Sequence, residues 1–233
     1  MHVPDGLINA PVSLGAGVVA AAGVAVCLRG ARGELDDRTA PLAGLTAAFV
    51  FAAQMLNFPV AAGTSGHLLG GTLAAILVGP YTGVLCVSVV LLVQSLLFAD
   101  GGLTALGVNI VDMALVTVLV GYGVFRLLLR VLPEGRVAVS GASFTAALVS
   151  VPVSALAFTG LYALGGTADV PLGAVAGAMV GVHTLIGLGE AAITMVTVSS
   201  VLAARPDLVH GVRGRIRPLE LRNAPAEPSG VNA

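Results

Sequence analysis

Between Arg38 and Arg126 the chain carries no cation and only two carboxylates, Asp100 and Asp112. No water-soluble core needs so long a stretch with so little charge, since soluble domains carry roughly a quarter charged residues. The whole sequence is 57% hydrophobic and 10% charged, with a mean hydropathy of +0.99. A bilayer is the solvent that suits such a chain. The 31 glycines fit close helix packing in that solvent. The net charge of −1 excludes nucleic acid as the natural partner. Cys27 and Cys86 stand alone in apolar runs, so neither a disulfide nor a zinc site is expected.

A helix crosses the hydrocarbon core in about 20 residues. Seven apolar segments are read at roughly 9–28, 41–57, 67–79, 81–98, 105–132, 137–164 and 171–203. The predicted fold is all-α and polytopic, with residues 1–203 as one transmembrane metal-binding domain. The third segment is short and glycine-rich and reads as a partial or tilted span. Residues 204–233 read as a polar cytoplasmic tail, disordered and rich in Pro and Arg. All eleven cations are arginine. With the N-terminus outside, every one falls on the inner side, so the positive-inside rule places the C-terminus in the cytoplasm.

The outer loops then hold Met1, His2, Asp5, Asn57, Thr64, Ser65, His67, Asp100 and Asp169. The first ten residues contain no cation, so they are not read as a targeting leader. They offer chemistry instead. The Met1 amine, the His2 amide nitrogen and the His2 imidazole Nδ1 can close fused chelate rings on one divalent ion. A fourth nitrogen completes a plane, which suits Ni(II) or Cu(II) better than tetrahedral Zn(II). Low-spin Co(II) accepts it as well. Pro4-Asp5-Gly6 is turn chemistry that folds the terminus back onto the protein. The rival reading is a frayed chain end. His67 tips the balance, because it faces the same outer surface and can supply the fourth nitrogen. Asn57, Thr64 and Ser65 lie where they could support it.

Three polar groups sit in the apolar segments. Asp112 follows Gly107-Val108-Asn109, and Glu190 follows His183 by seven residues, on one helix face. Intramembrane ionisable groups are costly and commonly functional. Here they are read first as hydrogen-bonding groups that fix helix packing, with a coupling role as the alternative. Gly173, Gly177 and Gly181 recur every four residues and form a small-residue stripe, a candidate docking face for another subunit.

The start "MHVPDG" and the stretches "QMLNFPVAAGTSGHLLGGTLAAILVGP", "QSLLFADGGLTALGVNI" and "HTLIGLGEAAIT" resemble the CbiM/NikM family over roughly residues 1–200. The resemblance implies the substrate-binding S-component of an energy-coupling factor (ECF) importer, an ABC-type transporter for Ni(II) or Co(II), in the cell membrane of a prokaryote. It implies seven transmembrane helices and an outside N-terminus. It maps the metal ligands onto the Met1 amine, the His2 amide and imidazole, and the His67 imidazole. It implies a transmembrane coupling subunit, a pair of cytoplasmic ATPases and a small auxiliary membrane protein, which is expected as a separate chain. No permanent cofactor is expected; the ion is cargo. Val3-Pro4-Asp5-Gly6 leans toward nickel rather than the cobalt members linked to cobalamin synthesis.

Two rival functions are open. Gly63-Thr64-Ser65-Gly66 matches the GxSG pattern of rhomboid proteases, with Ser65 as nucleophile and His183 as base. A stand-alone metal permease is the other. Neither HExxH nor a P-loop occurs, so a zinc protease and an intrinsic ATPase are not supported.

Overall fold

The computed structural model of the chain describes residues 1–37, 39–60 and 65–215, with residues 58 and 59 as backbone only. We number the helices α1 Ala10–Gly30, α2 Thr39–Gln54, α3 Gly71–Val78, α4 Pro80–Leu97, α5 Leu106–Val131, α6 Arg136–Gly165 and α7 Leu172–Ala204. A two-residue ladder joins β1, Phe58–Pro59, to β2, Ser65–Gly66, antiparallel. Cys27 and Cys86 are free thiols, both buried.

Five helical stretches are long and apolar enough to cross a membrane: Ala10–Gly33, α4, α5, α6 and α7. The chain is therefore a helical, multi-pass membrane protein. α2 has 16 residues and is apolar but shorter. The third expected segment departs most from a regular span. Its helix, α3, has 8 residues, about 12 Å at 1.5 Å per residue, under half the hydrocarbon thickness. The remainder of that crossing, up to Gly70, is not helical. Irregular backbone at this depth survives only when protein surrounds it and satisfies its polar groups. All eight residues of α3 are buried, and the polar groups are met from a distance.

Two carboxylates do this. Glu190 on α7 accepts from Leu69 N at 2.6 Å and from Gly70 N at 2.9 Å, at the start of α3. Glu34 accepts from Tyr81 N at 3.2 Å and Thr82 N at 2.7 Å, at the start of α4. Each puts an anion at a positive helix end, where unpaired N–H groups point outward. Gly79, between the two helices, has φ +103 and faces the Glu34 carboxylate. Any side chain there would displace the cap. The segment that Glu190 holds through these two bonds carries His67.

The two ends of the bundle differ. At one end residues 1–9 run into the molecule. At the other, residues 206–215 pack beneath α3 instead of standing in solvent, a departure from the tail read from sequence. Val209 and Val212 are buried, Gly211 lies against Phe125 and the Ile76 carbonyl, and Arg215 donates to the Leu129 and Leu132 carbonyls. The rest of that tail lies outside the described residues.

Candidate metal centre

Residues 1–9 are anchored at nearly every step. Val3 N donates to Asn109 Oδ1 at 2.8 Å, and Val3 O accepts from Gly102 N at 2.8 Å. Asp5 Oδ1 accepts from Thr104 N at 2.8 Å and from Thr104 Oγ1 at 2.5 Å. Leu7 N closes a turn on Pro4 O, with Gly6 at φ +81. Thr167 bonds the Gly6 and Leu7 carbonyls. Asn9 caps α1 through Val12 N at 3.1 Å. The turn predicted at Pro4-Asp5-Gly6 is present, and its outcome is complete burial of Met1 and near-complete burial of His2.

The His2 and His67 rings stack with centroids 4.3 Å apart. Residues 65 positions apart in sequence are thereby in contact. His67 is fixed by its own backbone: Nδ1 lies 2.7 Å from Leu68 O. A carbonyl only accepts, so Nδ1 carries the hydrogen and Nε2 keeps a bare lone pair. That Nε2 is buried with no hydrogen-bond partner among the described residues. His2 Nε2 lies 3.0 Å from Gln94 Oε1, and Nδ1 lies 3.0 Å from Asp100 Oδ1. Asn57 Nδ2 holds the other Asp100 oxygen at 2.9 Å.

Burial pushes the Met1 amine down from its ordinary 8.0 to about 4, against the pull of Asp112, Asp100 and Glu190. It is a free base at neutral pH, with its lone pair available. For Asp100 burial pulls upward, but the hydrogen bond and charge of His2, with help from Asn57, carry it below the usual carboxylate value. The site thus places a free amine and the bare His67 Nε2 beside one ionised carboxylate.

Among the described residues no three His, Cys, Asp or Glu side chains converge to hold a metal. A carboxylate-rich or all-histidine site is not built here. An arrangement drawing on a terminal amine and a backbone nitrogen needs only two imidazoles.

The other sequence candidates fall in different places. Asn57 reaches the site through Asp100. Ser65 Oγ and His183 Nε2 are both buried without a partner among the described residues, so the two do not bond each other as the dyad of a rhomboid-like protease would. Thr64 lies outside the described residues. Asp112 is buried in a π-helical stretch of α5, Ile110–Val116, and accepts from Ser154 Oγ at 3.0 Å. His183 is buried on α7 with Nδ1 2.8 Å from Met179 O. Gly173, Gly177 and Gly181 are exposed, and among the described residues nothing lies within 4 Å of where a Cβ would stand. Gln94, Asn109 and Gln54 were missed. Gln54 Nε2 donates to Leu69 O at 2.8 Å, beside His67. Each is an amide in an otherwise apolar helix, a signal visible in the sequence.

The family model for the cobalt uptake substrate-specific transmembrane region matches residues 2–208. A Haloquadratum walsbyi protein named as a metal transport protein is 42% identical over 90% of this chain and 93% of its own length. The fused nickel transport protein NikMN of Rhodobacter capsulatus is 34% identical over 98% of this chain and 66% of its own. A crystal structure of a truncated transition metal transporter superposes with a TM-score of 0.77 at 28% identity, covering 88% of this chain and 99% of the other. On these grounds the chain belongs to the cobalt uptake substrate-specific transmembrane family, whose members are components of metal transporters.

Proposed function

We propose that this chain is the substrate-specificity subunit of an ECF-type importer, and that it captures one Ni(II) or Co(II) through nitrogen donors at its N-terminal end. One observation carries the reading: a buried amine held as free base, beside stacked His2 and His67 rings of which His67 offers a bare Nε2. The donors are the Met1 amine, the His2 amide nitrogen, His2 Nδ1 and His67 Nε2. Coordination of the His2 amide displaces its hydrogen, and the resulting anionic nitrogen gives the strong in-plane field that favours planar Ni(II). Gln94 accepts the hydrogen of His2 Nε2 and so reserves Nδ1 for the ion, as second-shell acceptors do for metal-bound imidazoles.

The metal centre faces the outside and the arginine-bearing end faces the cytoplasm. Glu34, Arg213 and Arg126 all act on His210 at that end, and Arg215 ties down the chain there. An even distribution of arginine over both ends would oppose this orientation. The broken third segment counts as a crossing, which with α2 makes seven. Partners are a transmembrane coupling subunit, two ATPases and a small auxiliary membrane protein, in a prokaryotic cell membrane. The exposed glycines of α7 are a candidate docking face.

The test is metal content and the nickel d–d spectrum of the full chain with a native terminus. Parent protein should bind one ion per chain, and His2→Ala or His67→Ala should abolish it. Unchanged metal content in both variants would refute the site. Uptake by cells expressing this chain without ATPases would instead favour a stand-alone permease.

A further inference from the structure

A metal-bound primary amine uses its lone pair on the ion and keeps two N–H bonds. In a buried site each of those hydrogens needs an acceptor, because an orphaned donor is expensive. His183 Nε2 and Asp112 Oδ2 are among the buried acceptors that have no partner among the described residues. Both residues are fully buried. Met113, next to Asp112, and Met179, one helical turn before His183, pack in the same core cluster as the Met1 side chain.

The orientation of each acceptor is set from behind. His183 Nδ1 faces Met179 O at 2.8 Å, so it carries the hydrogen and Nε2 is left as a lone pair. Asp112 Oδ1 receives Ser154 Oγ at 3.0 Å, which leaves Oδ2 free. Asp112 also lies in the π-helical stretch of α5, where the wider turn re-aims a side chain, a feature frequent at functional sites. Both residues lie within electrostatic reach of the Met1 amine.

We infer that His183 Nε2 and Asp112 Oδ2 accept the two amine hydrogens of Met1 and so aim its lone pair at the ion. The two are positioning residues and not ligands. The absence of a three-histidine cluster among the described residues agrees with that. Three buried titratable groups in the membrane part then have distinct duties: Glu190 holds the segment that carries His67, while His183 and Asp112 hold the amine. This assignment rests on the proposed amine donor and deepens it.

The experiment uses the full chain with a native terminus, titrated with Ni(II). Affinity, the infrared N–H stretch of the bound amine and the unfolding temperature without nickel are read together. His183→Phe and Asp112→Leu remove an acceptor at similar volume, and should each weaken binding by roughly tenfold or more. His183→Gln and Asp112→Asn keep an acceptor oxygen. They should recover to within about threefold of the parent, with a shifted N–H stretch, since an amide is a weaker acceptor. Parent-like affinity in His183→Phe and Asp112→Leu, with His2→Ala inactive, overturns the assignment and leaves the metal site standing. Binding retained in His2→Ala overturns the site itself. If the apolar variants fail to fold, the N–H stretch of His183→Gln and Asp112→Asn decides: an unshifted band in both overturns the inference.

Discussion

His2 Nδ1 stands 3.0 Å from Asp100 Oδ1, and the same ring meets Gln94 Oε1 through Nε2 at 3.0 Å. The two acceptors differ in kind. Gln94 lies on α4 and is fully buried, whereas Asp100 follows that helix and is partly exposed. Under the proposed coordination an ion at Nδ1 leaves the Gln94 contact intact, and Asp100 is the anion beside it.

Removing that charge should act mainly on arrival. Asp100→Asn is expected to slow nickel association by roughly threefold to tenfold at low salt, with a flatter dependence on ionic strength. Asn57→Ala, which only loosens Asp100, should have a smaller effect in the same direction. Stopped-flow association at several salt concentrations checks both. A parent-like salt dependence in Asp100→Asn would show that the carboxylate does not steer the ion.

The Glu190 carboxylate holds two backbone N–H groups at the head of α3. Glu190→Gln keeps one acceptor oxygen and places an NH₂ group against the other N–H. A buried donor left unmet costs about 1–3 kcal/mol. The variant should therefore unfold at lower temperature without metal, and also bind nickel more weakly, because the segment carrying His67 is no longer held. Thermal unfolding in detergent and nickel titration measure the two effects.

Glycine 101 offers a test of how tightly the His2 ring is packed. Its φ is +90, and a Cβ there would stand 3.1 Å from His2 Cδ2 and 3.1 Å from Asn109 Nδ2. Gly101→Ala should cost about 1–2 kcal/mol from the backbone and lower metal affinity several-fold by pushing the ring. Gly6 shares the positive φ, but a Cβ there meets nothing within 4 Å. Gly6→Ala should show a backbone cost similar to Gly101→Ala with a smaller loss of affinity.

Terminal chemistry can be separated from side-chain chemistry. A Gly-Ser extension before Met1 turns the amine into an amide and removes a donor while every side chain survives. Met1 is fully buried, so the added residues also have no room. The extension should abolish high-affinity nickel binding, and a C-terminal tag should not. Equal affinities in both would show that the amine is not a ligand.

Asp5 ties the first turn to Thr104, whose hydroxyl and then backbone N–H hold the carboxyl below its ordinary 3.8. A carboxyl whose folded value is depressed contributes stability at pH above the unfolded value. That contribution is lost as pH falls through the folded value. Unfolding of the parent should therefore show an acid-dependent loss of stability below pH 3.8 that is smaller in Asp5→Asn. Superimposable pH profiles would mean that this anchor is dispensable.

Much of the molecule was legible without coordinates, because its solvent leaves little choice. A long stretch without cations demands helices in a bilayer, and a helix satisfies its own backbone wherever its apolar side chains point. The turn at Pro4-Asp5-Gly6 and the nearness of His2 to His67 followed from local chemistry and from which loops share a face. Tertiary structure alone decided the rest. Segment 67–79 has the composition of a span, but hydropathy cannot tell a helix from an extended stretch whose N–H groups are met by a carboxylate 121 residues away. Residues 206–215 look like a solvated tail, and only the space beneath α3 makes burial of Val209 and Val212 favourable. His183 and Asp112 read equally well as packing or as function in one dimension. Their unpartnered atoms become informative only once Met1 is brought into the same core, because a buried lone pair without a donor is costly.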